Sequence, residues 1–550
     1  MFSSKDNVNS LTALLVAYGI RHAVVCPGSR NAPIVHNLNE CPDIVCHPVT
    51  DERSAGFYAL GMAQALAQPV AVCVTSGTAL LNLQPAVAEA WYQHLPLVVI
   101  SADRPQQWIG QLDGQTLPQP DALGRFVRKA VTLPEPRDDE ERWYCNRLIN
   151  EALLAMDDRG SGPVHINVPI SEPLFQFTVG QLPQERVITR FSPPEDYDCL
   201  RPAFVDAFLS ASRPMIVFGQ SSPHDFAGDD GDYLYSHVIV LHEALAPFPS
   251  ISHFDEVLSS LTPPLPDFVI YVGGAIVSKR LKAFLRTARN AQVWRVGPTG
   301  WVEDTFQNLR GIVVGDAEFV LNSLSHKLKN HPNAPAMEYR RQWLHLLKQA
   351  ADHARSYEPP YSQMMAVRQL EQRLSQPLPI VHYANSTAIR LANIYASHHV
   401  WCNRGVNGIE GSLSTAAGFS LVTSEKVFCV IGDLSFFYDQ NALWNQQLRG
   451  NLRILLLNNG KGGIFNMLRG LEQSPARDRL VAAQHHTTAE GICRQNDIYY
   501  QQATNAEELQ QGLDLLLQEG FSRPMLLEVL TDATCDEQAF REYYLSIKKR

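Results

Sequence analysis

The sequence has few cysteines, no long hydrophobic run and no excess of basic charge. Its 10 cysteines in 550 residues include no Cys-x-x-Cys pair, so we expect neither a disulfide framework nor a structural zinc site. No apolar run approaches the roughly 20 residues of a membrane span, and the apolar stretch 12–20 lacks the basic flank and cleavage site of a signal peptide. The net charge of −10 disfavours a dedicated nucleic-acid binder. We therefore expect a soluble cytoplasmic protein that has neither a nucleic acid nor a membrane as partner.

A chain of 550 residues is too long for one hydrophobic core. Short apolar runs alternate with helical periodicity almost throughout, which is typical of parallel sheets with helical crossovers. Two polar passages that contain proline, 182–198 and 330–360, interrupt this alternation. The predicted fold class is therefore α/β, with three domains at 1–181, 199–330 and 360–550, each with a mainly parallel sheet flanked by helices.

The predicted strands are the short apolar runs, and the clearest predicted helices of the first domain cover 52–67 and 79–94. The strand predictions are 22–27, 44–49, 70–75, 97–101, 164–168, 214–218, 237–241, 268–272, 292–296, 380–383, 400–402, 427–431, 453–457 and 525–529.

Polar residues follow two neighbouring predicted strands of the last domain. Gly432-Asp433-Leu434-Ser435 follows run 427–431 and, after a predicted amphipathic helix, Asn459-Gly460-Lys461 follows run 453–457. Because ligands bind at the carboxyl ends of parallel strands, we expect Asp433 and Asn459 to lie side by side in a binding crevice. Their oxygens, with the backbone carbonyl of Lys461, are the hard ligands that Mg²⁺ prefers. The same residue types also occur in ordinary turns, so this interpretation needs support from elsewhere.

A glutamate stands in the first turn of the helix predicted at 52–67. Glu52 follows Thr50-Asp51, and an acidic side chain there ordinarily complements the helix dipole. From the residues alone, that structural role and a catalytic role are both open.

Several short motifs follow one another in a fixed order along the chain. They are Pro27-Gly28-Ser29-Arg30, Asp51-Glu52-Arg53, Thr75-Ser76-Gly77-Thr78-Ala79, Ala102-Asp103-Arg104-Pro105, Asn403-Arg404-Gly405, Ser414-Thr415-Ala416-Ala417-Gly418 and Gly432-Asp433-Leu434-Ser435. In this order and context, the chain resembles the 2-succinyl-5-enolpyruvyl-6-hydroxy-3-cyclohexene-1-carboxylate (SEPHCHC) synthase family of thiamine-diphosphate (ThDP) enzymes, over essentially its whole length.

The resemblance implies a fold, a reaction and an assembly. The three domains would be the pyrimidine, central and diphosphate domains of the ThDP-binding fold. The cofactors would be ThDP and Mg²⁺ or Mn²⁺. The enzyme, a transferase of menaquinone biosynthesis, would decarboxylate 2-oxoglutarate and add the succinyl-semialdehyde unit to isochorismate in a Stetter-like 1,4-addition, giving SEPHCHC and CO₂. Active sites would lie between the subunits of a homodimer or of a dimer of dimers.

The resemblance also implies roles for individual residues. Glu52 would activate the aminopyrimidine ring of ThDP, and Ile409 would support the bent cofactor. The other cofactor positions would be Ser386, Gly432, Leu434 and Ser435, and the metal ligands would be Asp433, Asn459 and Lys461. Catalytic contacts would come, besides Glu52, from Ser29, Arg30, Arg104 and Gln115. Substrate-binding positions would be Lys279, Arg280, Ser386, Arg390, Arg404, Ile464, Phe465 and Leu468.

A cluster of cations supports anionic substrates independently of the resemblance. Six basic residues stand at or just beyond predicted strand ends: Arg30, Arg104, Lys279, Arg280, Arg390 and Arg404. Guanidinium groups bind carboxylates in a bidentate fork, and 2-oxoglutarate and isochorismate are both dicarboxylates. We therefore expect these cations to face one crevice, although arginines at strand ends are often solvated or paired with acids.

Two departures from the family pattern and two alternatives accompany this prediction. Leu434 stands where many ThDP enzymes have glycine, and Gly114 precedes Gln115 where family members have asparagine. One alternative is another ThDP-dependent decarboxylase or carboligase of the acetolactate-synthase type, although the middle domain has no Gly-x-Gly-x-x-Gly loop for a flavin. The other is a catalytically inactive ThDP-fold protein that binds a metabolite, although Glu52, Asp433 and Asn459 are all present.

Overall fold

The structure is a computed structural model that describes residues 1–157, 160–190, 202–226, 232–374, 379–467 and 470–547. Its strands are β1 His22–Val25, β2 Val45–Pro48, β3 Val70–Val74, β4 Leu97–Asp103, β5 Ala130–Thr132, β6 Val164–Pro169, β7 Pro214–Phe218, β8 Ile239–His242, β9 Phe268–Val272, β10 Gln292–Gly297, β11 Leu309–Val314, β12 Ile380–Tyr383, β13 Val427–Gly432, β14 Leu452–Asn458, β15 Tyr499–Ala503 and β16 Met525–Leu530.

Three sheets organise the chain. Their strand orders are β2-β1-β3-β4-β6-β5, β11-β10-β9-β7-β8 and β12-β13-β14-β16-β15, and the strands named within them pair in parallel. The predicted α/β class is therefore confirmed. Each sheet lies inside one of the predicted domain ranges, and the domain boundaries themselves stay a prediction. Part of the predicted linker 182–198 lies outside the described residues.

Helices cover the faces of the sheets. They are α1 Asp6–Ala17, α2 Ala32–Glu40, α3 Glu52–Leu66, α4 Thr78–Asn82, α5 Gln84–Gln93, α6 Asp139–Ala155, α7 Pro202–Ser210, α8 Asp232–His237, α9 Phe254–Ser260, α10 Lys279–Thr287, α11 Ala317–Lys329, α12 Ala334–Ser356, α13 Gln363–Arg373, α14 Thr387–Tyr395, α15 Ser412–Leu421, α16 Asp433–Tyr438, α17 Glu490–Gln495, α18 Ala506–Leu517 and α19 Ala533–Ile547. Within the described residues, no helix has the length and apolar character needed to cross a bilayer.

The strands that the apolar runs did not predict, β5, β11 and β15, all lie at the edges of their sheets. These three edge strands are buried less completely, so their sequences are not continuous apolar runs; Tyr499–Ala503, for example, contains two glutamines. The strand predicted at 400–402 is wrong: Trp401 makes only an isolated bridge to His382. The amphipathic helix predicted between β13 and β14 is only the six-residue α16 followed by a 3-10 turn, Gln440–Leu443.

One hydrophobic core connects the first and third sheets. Helix α3, which lies on the first sheet, crosses α15 of the third at backbone contact, because a Cβ atom on Gly61 would lie 1.9 Å from the carbonyl oxygen of Thr415. Buried side chains from both sheets, such as Val72 and Ile454, belong to the same cluster. The crossing fixes the start of α3 against the third sheet, which matters for the site because α3 begins at Glu52.

Candidate active site

The carboxyl ends of β13 and β14 bring Asp433 and Asn459 together. The two strands pair in parallel with Gly432 opposite Leu457, so the residues that follow them share one edge of the sheet. The buried carboxylate of Asp433 accepts hydrogen bonds from three backbone N–H groups, those of Leu434 at 2.7 Å, Asn459 at 3.2 Å and Gly460 at 2.9 Å. The strand-end loops are therefore built around this carboxylate.

The side chain of Asn459 is oriented by an acid from α19. Its Nδ2 donates to Oδ2 of Asp536 at 2.9 Å, and Asp536 also accepts from Thr531 and from the backbone of Gln363. This contact occupies the nitrogen end of the amide, and Oδ1, which accepts from the backbone N–H of Lys461 at 3.4 Å, is the amide's candidate donor atom to a metal. The Lys461 ammonium contacts Asp478 at 3.3 Å instead of the site, so only the backbone carbonyl of Lys461 is a candidate ligand.

A histidine that the sequence analysis missed lies next to this pair. Nε2 of His485 is 3.5 Å from Oδ2 of Asp433, and this interaction raises the pKa of His485 above its ordinary value. The neighbouring Gly460 has φ +74°, and a Cβ atom there would lie 2.7 Å from the carbonyl oxygen of His485. Only glycine fits the turn without strain. Across the described ranges, no three His, Cys, Asp or Glu side chains are grouped closely enough to hold a metal ion.

Glu52 begins α3, as the sequence predicts. Asp51 caps the helix by accepting from the backbone N–H groups of Arg53 and Ser54. The Glu52 carboxylate accepts from Nδ2 of Asn82 at 3.3 Å. The helix start contacts the third sheet's α16 within the same chain, since Arg53 donates to the carbonyl of Tyr438 at 2.8 Å.

A first group of predicted residues gathers at the carboxyl edge of the first sheet. Arg30 is buried and donates to the carbonyl of Ile170 and to Glu172, and burial together with the nearby Arg104 lowers the pKa of Arg30. Arg104 contacts Asp113 at 3.1 Å. Ser29 and Gln115 are exposed on the same edge; the backbone of Gln115, with φ +54°, lies over Gly77.

A second group lines a cavity between the middle and third sheets. The cavity has a volume of about 330 Å³ and contains Lys279, Arg280, Arg390 and Ile464 in its wall. Arg404 lies near enough for its charge to act on Arg390. Burial and the positive charge of Arg404 together lower the pKa of Arg390. Arg404 itself donates to Asn385, the residue before Ser386, at 2.9 Å. Within one chain, the six cations thus form two groups, and Arg30 and Arg104 are not in the wall of this cavity.

The same cavity contains acids that the sequence analysis did not select. Glu243, Asp255 and Glu256 line it together with His242 and Tyr544. Burial raises the pKa of Glu243 to about 7 and lowers that of His242 to about 4. Glu243 directly follows β8, the same strand-end position that Asp433 has after β13, and this position is the sequence signal for it.

The remaining predicted residues lie on turns or in the first turn of α16. Ser386, with φ +73°, precedes α14, while Gly432 precedes α16, which contains Leu434 and the buried Ser435. Ile409 is 42% exposed in a single chain. Ile464 and Phe465 belong to a 3-10 turn, Gly463–Met467, that follows the Asn459 loop, and Leu468 lies outside the described residues.

Comparisons with known proteins identify the family. Residues 7–123 match a family model described as "Thiamine pyrophosphate enzyme, N-terminal TPP binding domain". Proteins named 2-succinyl-5-enolpyruvyl-6-hydroxy-3-cyclohexene-1-carboxylate synthase are similar over essentially the full length: that of Bacteroides fragilis is 46% identical and that of Bacteroides thetaiotaomicron 44%, each with 100% of both chains covered. The protein of that name from Porphyromonas gingivalis is 34% identical over 99% of this chain and 98% of its own. The chain therefore belongs to the SEPHCHC synthase family of thiamine-diphosphate enzymes.

Proposed function

We propose that this chain is a transferase of menaquinone biosynthesis that uses ThDP and Mg²⁺ or Mn²⁺. It decarboxylates 2-oxoglutarate and adds the four-carbon unit to isochorismate by 1,4-addition, which yields SEPHCHC and CO₂. The observation that carries this proposal is the cavity lined by Lys279, Arg280 and Arg390 in a chain whose net charge is −10. Both proposed substrates are dicarboxylates, and guanidinium groups are well suited to bind them.

A short segment of the chain connects the proposed metal site with the cavity. The loop Asn459–Gly463 leads directly into Ile464, which lines the cavity. This connection supports the proposal that a molecule held at Asp433 and Asn459 reaches the cations. Ile464 supplies an apolar wall, and Phe465 follows it on the same turn. Lys279, Arg280 and Arg390, with Arg404 nearby, supply charge for carboxylates, and we propose Ser386 as a hydroxyl donor.

The donor set at the edge of the third sheet fits a diphosphate-bound metal ion. Asp433 and the oriented amide of Asn459 provide hard oxygens, and the Lys461 carbonyl is a further one. Gly432, Leu434 and Ser435 bring the start of α16 to the same place. When bound, ThDP supplies the carbanion chemistry of the reaction. Glu52 would hydrogen-bond its aminopyrimidine ring, and Ile409 would support it.

We propose that the working site is shared between two copies of the chain. Ser29, Gln115 and Ile409 are exposed in one chain, although each is assigned to a cofactor or substrate contact. A partner subunit that covers them brings Glu52, Arg30 and Arg104 of one copy to the cavity and metal site of the other. The assembly is a homodimer or a dimer of dimers in the cytoplasm.

The decisive experiment measures CO₂ release from 2-oxoglutarate by the purified protein with ThDP and Mg²⁺, with and without isochorismate, and identifies the product by mass spectrometry. We expect sustained CO₂ release that depends on isochorismate. Turnover of pyruvate but not of 2-oxoglutarate would instead favour an acetolactate-synthase-like carboligase.

Glu52→Gln distinguishes an enzyme from an inactive binding protein. The variant keeps the size of the side chain but removes its acid–base function, which is typically worth about 10²–10⁴-fold in rate. We expect turnover to fall by at least about 100-fold with the thermal transition unchanged. A near-normal rate would remove Glu52 from the proposed role.

A further inference from the structure

Two cations stand at a place in α10 where helices normally disfavour them. Lys279 and Arg280 are the first two residues of this helix, and its first turn contains no acidic side chain. The positive end of the helix dipole repels cations there, typically by about 0.3–1 kcal/mol each. Further positive charges lie nearby: besides burial, which is the larger cause, Arg404 and Arg286 lower the pKa of Lys282 on the same helix, and Glu243 opposes them.

Two carboxylates from other segments compensate this charge. Glu243, which is buried at the end of β8, accepts from the backbone N–H groups of Val277 at 2.6 Å and Ser278 at 2.7 Å. Asp255, in the first turn of α9, accepts from the hydroxyl of Ser278 and from Nη1 of Arg280. Both carboxylates thus fix the residues immediately before Lys279 and Arg280.

An aromatic side chain from the end of the chain completes the arrangement around Arg280. The guanidinium lies 4.4 Å from the centre of the Tyr544 ring, and the Tyr544 hydroxyl donates to Asp255 at 3.1 Å. One face of the guanidinium is thereby covered and one of its nitrogens is paired, so its remaining N–H groups have a defined direction. A guanidinium group that is already fixed loses less conformational entropy on binding a carboxylate than a mobile guanidinium group does.

We propose that Asp255 and Glu243, with Tyr544, are positioning residues that hold Lys279 and Arg280 in the geometry that binds a substrate carboxylate. This inference rests on the proposed function of the cavity and specifies which acids organise its cations. Charge alone and the positioning role predict opposite effects when an acid is removed. By charge alone, removal of an acid from an anion-binding cavity strengthens anion binding; if the acid positions the cations, its removal weakens binding.

The test compares Asp255→Asn with Glu256→Gln. Glu256 lines the same cavity and carries the same charge, but it contacts Tyr543 at 2.9 Å and His253 at 3.5 Å and is not among the partners of Arg280. The two variants therefore remove equal charge, and only Asp255→Asn disturbs Arg280. KM and kcat are measured separately for 2-oxoglutarate and for isochorismate, which also identifies the carboxylate that Arg280 binds.

We expect Asp255→Asn to raise KM for one of the two dicarboxylates about tenfold, the typical effect of losing a charge-assisted hydrogen bond. The kcat value should change less than KM, and Glu256→Gln should leave KM unchanged or lower it. Equal KM values for both variants, or a lower KM in Asp255→Asn, would overturn the inference. If Asp255→Asn does not fold, Tyr544→Phe replaces it: this variant keeps the ring over Arg280 and removes the hydroxyl that contacts Asp255 and Arg280, and an unchanged KM would count against the proposal.

Direct binding separates this inference from the proposed function. Glutarate, an unreactive dicarboxylate, is titrated calorimetrically into the wild-type protein and into Asp255→Asn, each saturated with ThDP and Mg²⁺. If the wild-type protein is inactive on the proposed substrates but binds glutarate about tenfold more tightly than the variant does, the reaction assignment is wrong and the positioning role stands. If both proteins bind glutarate equally, or neither binds it, the positioning role is wrong.

Discussion

The close crossing of α3 and α15 makes Gly61→Ala a demanding test of the structure. A Cβ atom at this buried position would lie 1.9 Å from the carbonyl oxygen of Thr415, which is far inside contact distance. The obstacle is backbone and not a flexible side chain, so the helices have to separate by about 1 Å or more, and overpacking of this kind typically costs about 1–3 kcal/mol. The gain in helix propensity from glycine to alanine, about 1 kcal/mol, offsets only part of the upper value.

We expect Gly61→Ala to lower the free energy of unfolding by about 2 kcal/mol, which is the upper overpacking cost of about 3 kcal/mol less the propensity gain of about 1 kcal/mol. The measurement is the urea midpoint, followed by the change in kcat, because α3 carries Glu52 at its start. Gly491→Ala is the matched control: this exposed glycine is also helical, and a Cβ atom there would meet nothing within 4 Å. The control should be neutral or slightly stabilised. A Gly61→Ala protein as stable as the control would refute the crossing geometry.

Two further predictions concern Asp433 and a buried pair formed by Glu371 of α13 and His398, which follows α14. Asp433→Ala should weaken metal-dependent ThDP binding at least about tenfold in a calorimetric titration, because it removes the carboxylate that we propose as a metal ligand; unchanged affinity would exclude Asp433 from the metal site. Burial lowers the pKa of His398, but the hydrogen bond and charge of Glu371, 2.9 Å away, raise it above its ordinary value. The stabilisation by this pair is therefore complete below about pH 6.5 and is lost as the pH rises through the raised pKa of His398. Glu371→Gln should accordingly lose most stability relative to the wild type in acidic buffer, and a difference in unfolding free energy that does not vary between pH 5.5 and 8.5 would contradict this explanation.

The order of residues along the chain was enough to predict the central strands and the polar residues at their ends. Continuous apolar runs such as 70–75 and 427–431 predicted central strands, because a strand covered on both faces has no polar positions. Since parallel strands end at one edge, the neighbouring positions of Asp433 and Asn459 could also be predicted from sequence order. Three of the six described edge strands, β5, β11 and β15, could not, because their partial exposure removes the continuous apolar pattern.

Which charges meet depends on the tertiary structure. Asp255, Arg280 and Tyr544 form one contact group, although the first and the last of them are 289 positions apart in the sequence. The sequence analysis placed six cations around one crevice, whereas folding of a single chain separates Arg30 and Arg104 from Lys279, Arg280 and Arg390. Strand-end positions specify the edge of a sheet on which a side chain lies. How the sheets pack against one another specifies which edges face each other, and no local pattern in the sequence encodes that packing.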